Sequence, residues 1–265
     1  MTAGISVDLN SDLGEGFGPW SMGDDGAMLD IVSSANLACG FHAGDPVIMT
    51  DTAKVAREKG VAIGAHPAFF DLWGFGRRRI TGDSPADIEK MVAYQIGALQ
   101  GVATLAGHRV THVKPHGALY NMAAADAALA GAIARAIRAV DPGLLFVVLP
   151  GSEMERAGHA AGLAVACEVF ADRGYLDDGS LAPRGQPGAL IHDPEEAAHR
   201  TVEMVTAGTV RALSGTMVPV KADTICIHGD SPAAVAMAKA VRSALEEAGV
   251  AIRPMHETVG LASSR

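Results

Sequence analysis

Short apolar segments rich in Val and Ile recur along the whole chain, separated by longer stretches with helical periodicity. Continuous apolar segments of this length are typical of strands that are buried on both faces, as in a parallel sheet. The pattern therefore predicts strands that alternate with helices. The predicted strands are Ile5–Leu9, Ala35–Cys39, Val61–Ala65, Val110–Lys114, Leu144–Leu149, Ala164–Phe170, Thr224–His228 and Val250–Ile252.

Three of the intervening helices carry clear signals. Ser84 supplies an N-cap serine, and Pro85 follows at the first helical position. Apolar residues at helical spacing come next, and similar stripes run from Leu129 to Val140 and from Ala234 to Ala248. Gly249 stands directly after the third stripe, where a C-terminal cap is expected.

Repetition of one unit indicates the architecture. A helix end, a glycine, a short strand and a histidine recur at residues 59–66 and 249–256. Seven or eight strand–helix units predict a (β/α) barrel, and a doubly wound open sheet is the competing α/β architecture. Nothing resembling a linker divides the chain, so we expect one domain over residues 1–265. The segment Gly174–Asp193 shows no clear period and is expected to form a loop on the barrel rim.

Composition excludes several classes of protein. The 265 residues are 49% hydrophobic and carry a formal net charge of −9, so there is no basic surplus to neutralise nucleic-acid phosphates. The three cysteines are widely spaced, which favours a reducing compartment. Residues 1–10 lack signal-peptide features, and the apolar run Leu144–Leu149 is too short to span a bilayer. We therefore expect a cytoplasmic protein that binds neither nucleic acid nor membranes.

Polar and ionisable residues cluster at the ends of the predicted strands. In a parallel barrel these ends share one face, where active sites are built. Six of the ten histidines stand in or just after strands, which is typical of an enzyme. The candidate site residues are Asp8, Asn10, Asp12, Asn36, His42, His66, Lys114, His116, Glu168, Asp172, Arg173, His228 and Asp230.

Several of these residues allow two interpretations. Lys114 either pairs with an acid as a structural residue or serves as a partly buried electrophile or substrate clamp, and we favour the second role. Cys39 is either a nucleophile or a small core residue, and the core role is favoured. The three arginines 77–79 form either an anion clamp at the rim or a solvated loop.

A divalent metal is a further candidate ligand. The segment DLNSD at residues 8–12 looks like the start of an EF-hand calcium loop, but the residues that follow lack the glycine and the glutamate that such a loop needs. Its oxygens would still suit a metal together with histidines, the set being Asp8, Asp12, His42 and His66. The chain has no Walker A, dinucleotide-binding or nucleophile-elbow motif, so it carries no recognisable ATP loop of its own.

Six segments together resemble the LamB/YcsF family, in the expected order and over almost the whole chain. They are DLNSDLGEGFG at 8–18, SANLACGFHAGDP at 34–46, GAHP at 64–67 with GFGRR at 74–78, VKPHGALYN at 113–121, EVFADR at 168–173 and HGD at 228–230. The resemblance implies a seven-stranded (β/α) barrel similar to polysaccharide deacetylases. It also implies ATP-dependent hydrolysis of the lactam of 5-oxo-L-proline to L-glutamate, with ATP and Mg²⁺ as cosubstrate and with two partner subunits, B and C.

The chemistry of that reaction suggests roles for the candidate residues. A five-membered lactam is a stable amide, so its opening requires coupling, for which phosphorylation of the amide oxygen followed by attack of water is a suitable route. Asp8, Asp12 or Glu168 would act as the general base. Lys114 and His116 would stabilise the oxyanion, and His66 and His228 would position or protonate the nitrogen. The remaining candidates would bind substrate: Asn10, Asn36, His42, Asp172, Arg173 and Asp230.

Two other functions are compatible with the same residues. A stand-alone metal-dependent deacetylase or amidohydrolase would turn over without ATP and would be inhibited by chelators. A non-catalytic subunit would capture 5-oxoproline on the polar rim and pass it to its partners.

Overall fold

The structure is a computed structural model that describes residues 4–229 and 233–259. Its strands are β1 (Ser6–Leu13), β2 (Ser34–Ala38), β3 (Ala62–His66), β4 (Val110–Val113), β5 (Leu145–Val148), β6 (Val165–Phe170), β7 (Thr209–Arg211), β8 (Met217–Pro219), β9 (Thr224–Cys226) and β10 (Ala251–Ile252). The helices are α1 (Asp25–Leu29), α2 (Pro46–Glu58), α3 (Pro85–Leu105), α4 (Gly117–Ala123), α5 (Ala127–Val140), α6 (Glu153–Ala160), α7 (Pro194–Thr206), α8 (Ala234–Glu247) and α9 (Met255–Thr258).

Seven parallel strands close into a barrel. β1 to β6 pair in chain order, β6 then pairs with β9, and β9 pairs back with β1. This closure confirms the predicted barrel and excludes the open doubly wound sheet. The last predicted strand differs, because among the described residues β10 pairs only with Ser6 and Val7 at the start of β1 and lies outside the ring.

The predicted start of α3 and the predicted end of α8 are confirmed. The Ser84 side chain accepts a hydrogen bond from the backbone N–H of Asp87 at the start of α3, as its N-cap position predicts. Gly249 adopts a φ of +77° just beyond α8, the left-handed conformation in which glycine commonly ends a helix. No helix in the described ranges is long and apolar enough to cross a membrane.

Several short elements are absent from the sequence-based expectations. Helix α4 follows β4 after only three residues, which leaves no separate periodic segment to detect. β7 and β8 form an antiparallel hairpin of three-residue strands, too short for an alternating pattern. The segment Gly174–Asp193 is a loop over one end of the barrel, as predicted, and single bridges such as Tyr175 with Leu181 hold it.

The two faces of the barrel strands differ in polarity. In β1, Val7 and Leu9 belong to the apolar core, while Asp8, Asn10 and Asp12 alternate with them and contact polar groups of other barrel strands. The interior is therefore polar, and it is tightly filled. A Cβ atom at Gly64 of β3 would lie 2.1 Å from the imidazole of His112, so the histidine occupies the space that a side chain would need.

Candidate active site

A pocket of about 600 Å³ lies at the carboxyl ends of the barrel strands. Its walls come from the segments after β4 and β6 and from the loop between Gly174 and Asp193. Arg77 and Arg79 also line it, which favours the anion-clamp interpretation for these two residues, while Arg78 pairs with Asp71. The sequence-predicted residues that line the pocket are Asp12, His66, Lys114, His116, Arg173 and His228.

Lys114 links two buried carboxylates, that of Asp12, which lines the pocket with Lys114, and that of Glu168, which is fully buried beneath them. Its Nζ atom lies 2.9 Å from Oδ1 of Asp12 and 2.8 Å from Oε1 of Glu168. It also approaches Sγ of Cys226 at 3.1 Å. Lys114 is therefore paired with acids and also lines the pocket, a position that is compatible with both roles considered for it.

The electrostatics distinguish the two carboxylates. Burial opposes ionisation of Asp12, but His66 and Lys114 hold its pKa well below the usual value. Burial also opposes the charge on Lys114, yet Asp12, Cys226 and Glu168 raise its pKa well above the usual value. At Glu168 burial prevails over the attraction of Lys114, so its pKa is raised. Glu168 is therefore the better proton acceptor, because a base is most effective when its pKa approaches the working pH.

A second buried cluster lies beside these charges and contains three histidines and Glu15. Nε2 of His42 is 3.1 Å from Oε1 of Glu15, and His42 stacks on His116 with ring centroids 3.8 Å apart. Nδ1 of His116 is 3.0 Å from Nε2 of His66. One potential ligand atom from each residue lies within 4.8 Å of those of the others. Nitrogen and carboxylate donors in this number suit a divalent transition metal such as Zn²⁺.

The hydrogen bonds of the cluster call for a cation within it. His66 Nδ1 lies 2.6 Å from the carbonyl oxygen of Lys114, and His116 Nε2 lies 2.8 Å from that of Phe75. A carbonyl only accepts, so both of these nitrogens carry the proton. In neutral imidazoles the two facing nitrogens, 3.0 Å apart, would then present lone pairs to each other. A shared proton or a metal ion removes that repulsion.

Two loop residues beside this cluster, Phe75 and Gly76, have sterically restricted backbone conformations. Phe75, whose carbonyl accepts from His116, adopts a φ of +53°, which is uncommon for a residue other than glycine. At the next residue, Gly76, a Cβ atom would lie 2.7 Å from the ring of His116. Backbone strain of this kind persists where the surrounding structure enforces it, often at functional sites.

Asp172 and His228 form a third group at the pocket edge. Oδ2 of Asp172 lies 2.6 Å from Nδ1 of His228, and Arg184 lies 3.1 Å from the other ring nitrogen. Burial opposes the charge on His228, but Asp172 raises its pKa above the usual value. Arg173 donates to the carbonyl oxygen of Ala182 at 2.7 Å, so it fastens the rim loop while it also lines the pocket.

The structure does not bring Asp8 to this pocket. Its carboxylate accepts hydrogen bonds from Ser33, Ser34 and Thr224 at the opposite end of the barrel, and burial raises its pKa to about 6. Asp8 is also absent from the groups of closely spaced ligand atoms in the described part of the chain. The described residues contain two groups of closely spaced ligand atoms, one formed by Glu15, His42, His66 and His116 and the other by Asp12, Cys226 and His228. Of the residues expected to hold a metal, His42 and His66 belong to the first group, Asp12 belongs to the second, and Asp8 belongs to neither.

The other sequence-predicted residues have supporting positions. Asn10 donates to Glu168 at 3.2 Å, and Asn36 donates to Asp12 at 2.9 Å, so both orient carboxylates. Cys39 is buried, and burial raises its pKa to about 12, which agrees with a core role. Asp230 lies outside the described residues.

Two functional candidates are absent from the site residues selected from the sequence, although both lie in segments that resemble the family. Glu15 stands two residues beyond the end of β1, inside a glycine-rich segment that gives no indication of its direction. Tyr120 lies on the short helix α4, and its side chain lines the pocket. The available signals were its position four residues after His116, one helical turn, and its place in the segment VKPHGALYN.

Comparison with known proteins identifies the family. The profile described as the LamB/YcsF family matches residues 7–260. A Rhodopseudomonas palustris protein, named as the A subunit of 5-oxoprolinase, is 58% identical over 254 residues, covering 96% of this chain and 100% of the relative. A Gluconobacter oxydans protein of the same name is 53% identical over 255 residues, again covering 96% of this chain and 100% of the relative.

Solved structures agree with this assignment. The lactam utilization protein from Thermus thermophilus superposes with a TM-score of 0.90 at 51% identity, covering 94% of this chain and 99% of that one. The T48 deacetylase superposes with a TM-score of 0.51 at 16% identity, covering 95% of this chain and 89% of that one, which shows the shared barrel fold alone. The chain belongs to the LamB/YcsF family.

Proposed function

We propose that this chain is the A subunit of an ATP-dependent 5-oxoprolinase that hydrolyses the lactam of 5-oxo-L-proline to L-glutamate. The observation that carries the proposal is the identity of 58% over 254 residues with a protein named as the A subunit of 5-oxoprolinase. The pocket supports it, because a buried acid with a raised pKa stands beside a lysine in a water-poor site. These are the groups that amide hydrolysis requires: a base for water and a cation for the developing oxyanion.

Each residue of this buried group then has a task. Glu168 takes a proton from the attacking water, and Lys114 stabilises the negative charge that forms on the substrate oxygen. Asp12 remains ionised and holds Lys114 in place. Arg184 and His228, at the pocket edge, attract the substrate carboxylate and position the lactam nitrogen.

ATP and Mg²⁺ enter this proposal through the complete enzyme. Opening of the lactam needs coupling, and the sequence has no recognisable ATP loop. We therefore assign nucleotide use to the assembly with subunits B and C, which the word "subunit" in the names of the relatives supports. The proposal also includes a cytoplasmic location. It is supported by the three cysteines, which are all buried and form no disulfide bond.

The proposal includes a divalent metal in the histidine cluster. Zn²⁺ fits the donor set, which consists of His42, His66, His116 and Glu15. A cation between the facing nitrogens of His66 and His116 would also remove the repulsion between their lone pairs. Bound there, the metal would supply Lewis-acid polarisation. The protein's own residues prepare the cluster, since the carbonyls of Lys114 and Phe75 orient the two rings.

Metal binding can be tested without any enzyme assay. We expect the purified chain to bind about one Zn²⁺ per molecule in calorimetry, with a rise in its melting temperature. His116→Ala should abolish both effects, because it removes a central donor. His199→Ala, at an exposed position on α7, should leave them unchanged. A wild-type chain that takes up no metal would show that a shared proton, and not a metal, lies between the rings.

The proposed activity is tested by glutamate release from 5-oxo-L-proline, with this chain alone and mixed with subunits B and C. We expect turnover only in the complete mixture with ATP and Mg²⁺. Turnover by the chain alone, without ATP and sensitive to chelators, would instead identify a metal-dependent amidohydrolase. Glutamate release that persists when this chain is replaced by a Glu168→Gln, Lys114→Ala double variant with intact 5-oxoproline binding would identify a non-catalytic binding subunit.

A further inference from the structure

Four aromatic residues lie together at the end of the barrel that carries the pocket. They are Phe41 after β2, Phe70 and Trp73 after β3, and Tyr94 on α3, and we call them the aromatic patch. The ring of Phe41 contacts those of Phe70 and Tyr94, with centroids 5.1 Å and 5.6 Å apart. Phe70 is 74% exposed, Tyr94 64% and Trp73 97%. Single exposed apolar residues are common on proteins, but neighbouring large ones mark a surface that binds a partner.

The loop that carries Phe70 and Trp73 is held in one conformation by hydrogen bonds. The carboxylate of Asp71 accepts from the backbone N–H of Gly74 at 3.0 Å and from Nε of Arg78 at 2.8 Å. The backbone N–H of Asp71 donates to the carbonyl oxygen of Phe41 at 3.1 Å, which ties this loop to the segment after β2. An exposed side chain on an ordered loop loses little freedom when a partner covers it, so its burial contributes more to affinity.

The patch is large enough to form the centre of an interface. At their observed exposure, Phe70, Trp73 and Tyr94 offer roughly 400 Å², since a fully enclosed aromatic side chain buries about 150–250 Å². A stable interface buries about 800 Å² on each partner. The three side chains therefore supply about half of that area, and Trp, Tyr and Arg are the residue types on which binding energy concentrates.

The charge of the same loop indicates the chemistry of the partner. Residues 69–82 contain three arginines, at 77–79, and one acid, Asp71, although the whole chain has a net charge of −9. A two-fold dimer through this face would place the arginines of one copy against those of the other, which is unfavourable. The surface instead fits a different chain that presents acidic groups around an apolar centre.

The aromatic patch also adjoins the proposed active site. Arg77 and Arg79, a few residues beyond Trp73, line the pocket. The carbonyl oxygen of Phe75 lies 2.8 Å from Nε2 of His116 in the histidine cluster. A protein bound to the aromatic patch would therefore lie beside the mouth of the pocket.

We propose that the aromatic patch is the docking surface for an acidic surface of the B–C part of the enzyme. This inference rests on the proposed function. Opening of the lactam needs coupling, and the chain has no recognisable ATP loop, so the subunits that use the nucleotide must reach this pocket. Docking beside the pocket mouth brings them there.

The test measures binding of this chain to immobilised B–C by biolayer interferometry. Trp73→Ser and Phe70→Ser should each weaken the affinity about 30-fold or more, as the loss of a central aromatic anchor does. Leu105→Ser is the matched control and should bind like wild type. Leu105 is 79% exposed at the last residue of α3, which leads into the amino-terminal end of β4, away from the pocket. Raising the salt concentration from about 0.05 M to 0.5 M should weaken wild-type binding, because salt screens the arginines from an acidic partner.

Two further measurements separate docking from catalysis and folding. Both variants should reach the wild-type kcat for glutamate formation when present in excess over B–C, and at limiting concentration they should form less glutamate. The isolated variants should bind 5-oxo-L-proline and unfold in urea like wild type, since the replaced side chains are exposed.

Variants that bind B–C as tightly as wild type would overturn the proposal and leave the proposed function intact. Wild-type self-association that Trp73→Ser abolishes would identify a second copy as the occupant, and wild-type binding that does not respond to salt would exclude an acidic partner. Wild-type protein that neither binds B–C nor forms glutamate with it would refute the proposed function, and this inference with it.

Discussion

Glu168→Gln is expected to reduce glutamate formation about 10²- to 10⁴-fold, the range that a general base contributes. The amide keeps the shape of the side chain and cannot take a proton from water. Binding of 5-oxo-L-proline, followed by calorimetry, should change little, because Glu168 lies beneath the pocket and acts on the reacting water. The loss should therefore appear in kcat and not in KM.

The fold should survive this substitution. Lys114 retains Asp12 at 2.9 Å, so the buried charges become one cation and one anion in place of one cation and two anions. Glu195→Gln, in the exposed first turn of α7, is the matched control and should retain full activity. A Glu168→Gln protein with wild-type kcat would remove Glu168 from the mechanism and direct attention to Asp12.

The pH dependence of the wild-type enzyme offers a second check on Glu168. Burial raises the pKa of this carboxyl above its ordinary value of 4.5. A base works only when deprotonated, so kcat should fall as pH decreases through the raised pKa. In Glu168→Gln the residual rate should lose this acid limb. An acid limb that is unchanged in the variant would belong to another group.

The barrel could be predicted because its signals are local. Each inner strand is a short apolar run, and a strand buried among its neighbours leaves that mark in the sequence. Closure of the barrel leaves no such local signal, because the pairing of β1 with β9 joins residues that are far apart in the chain, such as Asn10 and Cys226. β10 illustrates the limit: its sequence resembles the other strands, yet within the described ranges it pairs only with the first residues of β1.

The sequence predicted on which face of the barrel the site lies, but it did not predict which side chains contact each other there. Strand ends identify His66, Lys114 and His116 as neighbours because parallel strands share their direction. The same rule misplaces Asp8, which is on the correct strand but near its amino-terminal end, next to Ser34 and Thr224. Glu15 reaches the histidines through a glycine-rich segment, and local sequence does not indicate the direction of such a backbone.

Lys114→Met is expected to destabilise the folded protein by about 3–5 kcal/mol, the usual cost of removing one partner from a buried ion pair. Methionine fills much of the same volume, so the loss arises from charge and not from a cavity. Asp12 and Glu168 would be left beside each other, buried and without their shared cation. Such a loss is a large part of the roughly 5–15 kcal/mol that stabilises a typical domain. Urea unfolding at pH 8 measures it.

Lys221→Met is the matched control, because it removes a lysine whose Nζ lies 2.8 Å from Asp223 but whose side chain is 65% exposed. An exposed pair contributes at most about 1 kcal/mol, so this variant should unfold almost like wild type. If both substitutions have the same small effect, Lys114 does not stabilise the buried carboxylates.

The destabilisation of Lys114→Met should shrink as pH falls from 8 to about 5. Without the lysine, one of the two carboxyls has a folded-state pKa raised above its unfolded value, because burial and the neighbouring anion both disfavour its charge. The folded variant then binds more protons than the unfolded chain, so its stability rises as pH decreases. Lys114→Met, Glu168→Gln should recover part of the loss at pH 8, since only Asp12 remains charged there. A deficit that is equal at both pH values would show that packing, and not unpaired charge, is what the lysine provides.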